Sequence, residues 1–243
     1  MTREYSRLSK ILTIHAAAVT GLNVAHSLRA RGLRHTLLFT ALGHTAPSLG
    51  EYLAGNVLML VRHHTKPQYK GVPAAIALGW YNVVYATFAM VESLLSHTNL
   101  DKDRRTRGLS PAVALVATSL DLLVDPFGLD LGLWAWSKDG AYAREIKGPN
   151  GNHGVPLVNF LGWLGLVTSV TLAYQRFNPD DEIAAHSSGS GAAGSPEAGR
   201  NAALLLLPYY LPAAVWALKR RRLKYLLYSG LSLVALWAAL RGS

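Results

Sequence analysis

Long uncharged stretches, separated by short charged or polar connections, make up most of the chain. Each stretch approaches the roughly 20 residues that an α-helix needs to cross the hydrocarbon core of a bilayer. The pattern predicts membrane spans at 10–28, 34–55, 72–96, 110–136, 155–175, 201–218 and 222–240. No internal repeat and no strand-period segment of useful length accompanies them. We therefore predict an all-α, polytopic transmembrane bundle of about seven helices.

The second predicted span is the most polar, because His35, His44, Pro47 and Glu51 interrupt it. Polar groups are tolerated at membrane depth only where a helix faces protein or a wet cavity. We therefore expect this span to face the interior of the bundle.

One segment has the composition of a linker. Residues 178–200 contain three adjacent acidic residues and then a run of Ser, Gly and Ala, which cannot bury enough apolar surface to offset its ordering entropy. We predict one transmembrane domain over residues 1–243. Within it, a flexible loop at 178–200 separates a five-helix portion at about 10–175, with the candidate site, from a C-terminal helical hairpin at 201–240.

Only 16% of the residues are charged, against about 25% in soluble domains, yet the net charge is +10. The Lys and Arg residues lie mainly between the predicted spans, which indicates contact with lipid head groups and not with nucleic acid. The side that holds the N-terminus carries 14 of them and the other side 10. The positive-inside rule then predicts a cytoplasmic N-terminus for this multi-pass protein. No small-residue cleavage site follows the first apolar run cleanly and further spans come after it, so we expect an uncleaved first helix.

Several kinds of chemistry find no support in the sequence. The chain has no cysteine, which excludes disulfides and thiolate sites. The histidine pair His63 and His64 lacks a convincing metal-ligand spacing, and no phosphate-binding glycine loop or serine nucleophile elbow occurs. We expect neither a metal nor a cofactor.

The fourth predicted span carries the most unusual residues, Asp121 and Asp125, which lie one helical turn apart on the same face. An aspartate at mid-membrane costs about 2.5–3.5 kcal/mol on insertion scales. Burial and mutual repulsion favour a protonated carboxyl that can act as an acid. Alternatively, the pair binds an arginine or caps a helix broken at Pro126.

Further candidates come from the neighbouring spans. Glu51 follows His44 on one helical stripe, where it either completes an acidic cluster with the aspartates or lies in interfacial water. Asn159 either orients a carboxyl or a water or ties helices together. Four tryptophans form an interfacial belt or line a cavity where their rings stabilise a carbocation: Trp80, Trp134, Trp136 and Trp163.

These motifs resemble those of the membrane carotenoid-biosynthesis hydratases, of the bisanhydrobacterioruberin hydratase and γ-carotene 1′-hydroxylase type. The resemblance runs from about His44 to Val167. It rests on Gly50-Glu51, Gly71-Val-Pro73 to Trp80, Asp121-Leu-Leu-Val-Asp-Pro126, Leu131-Gly-Leu-Trp-Ala-Trp136 and Gly154-Val-Pro-Leu-Val-Asn-Phe-Leu-Gly-Trp163. The chain departs from the family pattern at 137–153, which is longer and more charged.

The resemblance implies an enzyme that adds water, without a cofactor, to a terminal double bond of a lipophilic isoprenoid substrate in the membrane. It implies Asp125, Asp121 and Glu51 as catalytic residues, with Asp125 as the acid. The expected substrate-binding residues are Asn159, Trp80, Trp134, Trp163, Tyr52 and His44. Two alternatives stay open: a terpenoid cyclase that uses the same acids, and a transporter or structural membrane protein that uses them as a proton relay.

Overall fold

The computed structural model describes residues 3–178 and 192–241. Its first helix, α1, spans Arg3–Tyr52 and is broken at Gly32, whose φ of 80° and ψ of 176° lie outside the helical region. Glycine adopts this conformation without a steric penalty because it has no Cβ. Thr36 donates a hydrogen bond of 2.8 Å to Ser27 across the break. The break falls between the two predicted spans 10–28 and 34–55.

The two arms of α1 run in opposite directions along the second helix, α2 (Ala74–Ser96). In the first arm, contacts advance along both helices together, from Asn23–Asn82 through His26–Tyr85 to Arg31–Glu92. In the second arm they run in reverse, from Phe39–Phe88 through His44–Tyr81 to Glu51–Trp80. The helix is therefore a hairpin that covers α2 from two sides.

The other helices complete an all-α bundle. They are α3 (Lys102–Asp130), α4 (Leu157–Phe177), α5 (Pro196–Lys219), α6 (Lys224–Tyr228) and α7 (Gly230–Arg241). Helix α2 is central and is buried from Trp80 to Val91, in contact with α1, α3, α5 and α7. In the described ranges, five helices are long and apolar enough to cross a membrane, and α7 is a shorter apolar helix. The predicted fold class is confirmed.

Several helix boundaries differ from the prediction, each for a local reason. Helix α3 starts at Lys102 because the Asp101 side chain caps it by accepting from the Arg104 N–H at 2.8 Å. Helix α5 starts at Pro196, where Ser195 accepts from the Ala198 N–H at 3.1 Å. The end of the predicted 178–200 loop is therefore helical, and its residues 179–191 lie outside the described part. The predicted seventh span is divided between α6 and α7.

Three short antiparallel strand pairs, which the sequence pattern did not predict, lie in the connections. They are β1 (Val61–His63) with β4 (Trp134–Trp136), β2 (Gln68–Tyr69) with β3 (Val72–Pro73), and β5 (Tyr142–Lys147) with β6 (His153–Val155). A π-helical turn at Leu53–Val57 leads from α1 towards β1. These connections flank the end of α1, the start of α2, the end of α3 and the start of α4. All of them therefore gather at one end of the bundle.

Candidate active site

Two buried carboxyl groups form the centre of the site. Asp121 and Asp125, one turn apart on α3, are 4% and 3% exposed. Both accept hydrogen bonds from the same nitrogen, Nδ2 of Asn159, at 3.0 Å to Asp121 and 2.5 Å to Asp125. Asn159 lies in the first turn of α4, which Pro156 precedes. A single neutral amide therefore holds both carboxyl groups, and neither forms an ion pair with another described residue.

Glu51 approaches this pair from the second arm of α1 and is held differently. Its Oε1 accepts from Nε1 of Trp80 at 2.7 Å, and its Oε2 is 2.8 Å from Nε2 of His63. The Glu51 side chain is only 16% exposed, so it is not an interfacial glutamate in open water. Glu51 lies within electrostatic range of both aspartates. The structure thus brings the three predicted carboxyl groups together, with two of them held by an amide and the third by ring nitrogens.

Aromatic rings surround the carboxyl groups. Trp80 stacks on Trp163 with ring centroids 3.8 Å apart, and Trp80 is buried. The Trp134 ring lies directly over Gly128, where an added Cβ would be 2.1 Å from its Cη2 atom. Since Trp80, Trp134 and Trp136 are buried within the protein, they do not form a lipid-facing belt.

Tyr142, on β5, forms another wall of the site. Its hydroxyl donates to the Leu122 carbonyl at 2.6 Å, and its ring meets that of Phe160 edge to face at 5.1 Å. Burial raises the pKa of Tyr142, so the phenol stays neutral. Tyr142 lies in the segment where the sequence departs from the hydratase pattern, and the prediction did not include it.

Other candidates lie outside the carboxyl cluster. Tyr52 is exposed on the surface of the bundle, and His44 stacks on Tyr81 at 4.6 Å. No hydrogen bond within the described residues joins either of them to the carboxyl pair. Their predicted role in substrate binding stays a prediction.

Two further acids have structural partners. Asp130 accepts from Trp216 at 2.8 Å and forms an ion pair with Arg220 at 3.2 Å, which ties α3 to α5. Glu92, near the C-terminal end of α2, pairs with buried Arg31. A cavity of about 330 Å³ beside Glu92 lies at the other end of α2 from the carboxyl pair.

His63 is not among the site residues predicted from the sequence, where its spacing to His64 does not favour a metal site. The structure instead sets His63 beside Glu51 and opposite Trp134 in the β1–β4 pair. Only the long-range strand pairing reveals this position.

The fold and the site together define an integral membrane protein with a buried acidic site walled by aromatic rings. The family model described as carotenoid biosynthesis protein matches residues 62–193, which is more than half of the chain. The chain belongs to this family, and membership indicates a role in carotenoid biosynthesis. The matched region contains Trp80, Asp121, Asp125 and Asn159, whereas Glu51 precedes it. No curated protein and no solved structure matches the chain significantly.

Proposed function

We propose that the protein catalyses acid-dependent addition of water to a terminal C=C bond of a carotenoid or related long isoprenoid, without a cofactor. The observation that carries this proposal is the pair Asp121 and Asp125, buried and held by one nitrogen of Asn159. Two carboxylates this close in an apolar setting cannot both keep a charge at low cost, so the pair holds a proton between them. A shared proton of this kind is available to an alkene.

In the first step, Asp125 transfers this proton to the less substituted carbon of the terminal double bond, and the π electrons form the new C–H bond. A tertiary carbocation and a carboxylate result. The faces of Trp80, Trp134 and Trp163 stabilise the cation by about 0.5–2 kcal/mol for each ring in contact. The negative charge of Glu51 stabilises the same cation at longer range.

In the second step, water adds to the cation through its oxygen and loses a proton to the Asp121–Asp125 pair. One water is consumed, a tertiary alcohol forms and the pair regains its starting state. Asn159 acts as a positioning residue, because its amide fixes both carboxyl groups. Glu51 is poorly suited to be the proton donor, since both of its oxygens face ring nitrogens.

Expression in a host that makes lycopene-type and shorter isoprenoids, followed by mass analysis of extracts, tests this function. A product heavier than its substrate by one water supports hydration. A product of unchanged mass indicates that an internal alkene captured the cation, as in a cyclase, which the aromatic walls also suit. Turnover by purified protein in detergent, without a gradient, contradicts a transport role.

A further inference from the structure

One face of the β1–β4 strand pair is buried against the bundle and carries aromatic rings with nitrogen atoms. Side chains alternate along a strand, so Val61 and His63 share this inner face, and Trp134 and Trp136 share it on the partner strand. Both tryptophans are buried, and the His63 side chain is 7% exposed, whereas Arg62, on the other face, is exposed. His63 and Trp134 are directly opposite in the register, with ring centroids 6.4 Å apart.

Ring nitrogens on this inner face are buried without a partner. Among the described residues, Nδ1 of His63 and Nε1 of Trp134 have no hydrogen-bond partner, and neither has Nε1 of Trp136. An unsatisfied buried polar atom destabilises the folded protein, and such atoms call for an explanation in terms of function or bound water. Neighbouring unsatisfied nitrogens on one ribbon face therefore indicate a site for a small polar ligand.

Two of these nitrogens border the carboxyl groups. His63 contacts Glu51 through its other nitrogen. The Trp134 ring lies over Gly128, less than one turn beyond Asp125 on α3, and its indole N–H is directed at the Asp125 carboxyl without reaching the geometry of a hydrogen bond. A ligand held by this face would therefore lie beside the proton donor.

The hydrogen-bonding character of the two nitrogens is complementary. When Nε2 of His63 donates to Glu51, Nδ1 of the corresponding neutral imidazole tautomer is an acceptor. The indole Nε1 of Trp134 only donates. A ligand that fits both must accept from one and donate to the other, as a hydroxyl group does, and water satisfies both while keeping a lone pair free.

We propose that His63 and Trp134 bind and orient the water that adds to the substrate cation. This site rests on the proposed hydration. Water donates to Nδ1 of His63, accepts from Nε1 of Trp134 and directs its remaining lone pair at the tertiary carbon. When the C–O bond forms, the proton released goes to the carboxyl pair. His63 and the N–H group of Trp134 position this water and decide what captures the cation, whereas the ring face of Trp134 stabilises the cation as it forms.

Trp134→Phe and His63→Gln test this assignment. Phenylalanine keeps a ring over Gly128 without the N–H, and glutamine keeps a donor for Glu51 but has no acceptor at the ring position of Nδ1. Trp237→Phe, at an exposed tryptophan of α7, is the matched control. The measurement is the ratio of hydrated product to unhydrated isomers, formed when the cation cyclises or loses a proton. This ratio does not depend on the amount of folded protein.

We expect the ratio to fall about tenfold in each site variant, as for loss of one hydrogen bond of about 1.4 kcal/mol, and to stay at the wild-type value in Trp237→Phe. Wild-type hydration with an unchanged ratio in both site variants overturns the water site alone. Loss of all products by folded variants also overturns it. A wild-type protein that makes only unhydrated isomers overturns the water site together with the proposed function.

Discussion

Two buried polar clusters lie towards opposite ends of α2, and they handle charge in opposite ways. Near the C-terminal end, Arg31 donates to both oxygens of Glu92, at 3.2 and 2.5 Å, so a cation meets an anion. Near the N-terminal end, Asp121 and Asp125 meet each other through the neutral amide of Asn159. The first cluster neutralises its own charge inside the bundle, whereas the second, in the proposed mechanism, holds the proton that is transferred.

The surroundings of the two clusters reinforce this contrast. The Arg31 guanidinium also lies over the Phe88 ring at 5.0 Å, so this aromatic ring stabilises a cation that is part of the protein. At the other end, Trp80 and Trp163 stack beside Glu51, where no described Lys or Arg forms an ion pair with the carboxyl groups. Similar rings can therefore stabilise a fixed charge in one place and a transient charge in the other.

The largest expected effect comes from removing the proton at the carboxyl end. Asp125→Asn keeps the shape of the side chain but cannot transfer a proton, so we expect turnover to fall by at least about 100-fold. Product formation in membranes measures it, with the unfolding midpoint in detergent as the check on folding. Asp130→Asn, the same change on the same helix, is the control and should retain activity. Undiminished turnover in Asp125→Asn would remove Asp125 from the mechanism.

The second experiment removes the anion from the buried Arg31–Glu92 ion pair. Glu92→Gln leaves buried Arg31 without its anion, so we expect a loss of about 3 kcal/mol in stability and unchanged turnover per folded molecule. The unfolding midpoint in detergent checks this. Adding Arg31→Met to Glu92→Gln should recover most of the loss, because the unpaired charge is gone. If the unfolding midpoint of Glu92→Gln stayed at the wild-type value, the ion pair would not contribute to stability. If turnover per folded molecule fell as well, the ion pair would not be purely structural. Either result would contradict the proposed difference between the two clusters.

A smaller effect is expected from moving one wall of the acidic site. Gly128→Ala places a Cβ 2.1 Å from Trp134 Cη2, so the indole must shift, and we expect turnover to fall by about tenfold or more. Gly108→Ala, in the same helix with no atom within 4 Å of its added Cβ, should keep full activity. Equal activity in the two variants would show that the position of Trp134 does not matter for turnover.

The smallest effect concerns the exposed ion pair between Glu145 and Lys224. Its contribution to stability can be compared with that of the buried pair between Arg31 and Glu92. Partial burial opposes the charge of Glu145, but hydrogen bonds from Lys224 and Tyr225 outweigh it and lower its pKa from 4.5 to about 2. The stabilisation is thus complete above pH 4.5 and is lost as the pH falls towards 2.

Since both side chains of this pair are over 40% exposed, Glu145→Gln should cost less than about 1 kcal/mol. The difference in unfolding midpoint between wild type and variant should shrink between pH 4.5 and 2. A difference that grows in that window would contradict the assignment.

The helical part of the fold was predictable because it depends on local composition. Apolar runs of membrane length marked the helices, and the charges around Gly32 marked the break in α1. The predicted fourth span, 110–136, was too long. Helix α3 ends at Asp130, and Trp134–Trp136 forms strand β4. An apolar tryptophan pair fits both a span and a strand, and only pairing with the distant β1 decides between them.

The site residues also differ in how far they could be predicted, depending on whether their partners are close in sequence. Asp121 and Asp125 were predictable because their spacing places them on one face of one helix. Their link to Asn159 was foreseen only as a possibility, since it joins two helices. His63 and Tyr142 could not be found, because strands of three to six residues are too short to show a period of two, and their partners are remote in sequence.

The pairing of β1 with β4 also has a consequence for biosynthesis. Ribosomes add about 5–20 residues per second, and some seventy residues, including both α2 and α3, separate the two strands. Strand β1 is therefore synthesised several seconds before its partner β4, and α2 and α3 are made in between. During that interval Glu51 and His63 have been made but the Asp121–Asp125 pair is not yet covered. The buried carboxyl cluster becomes complete only late in synthesis, once Trp134 has been placed over Gly128 and Asn159 of α4 has also been made.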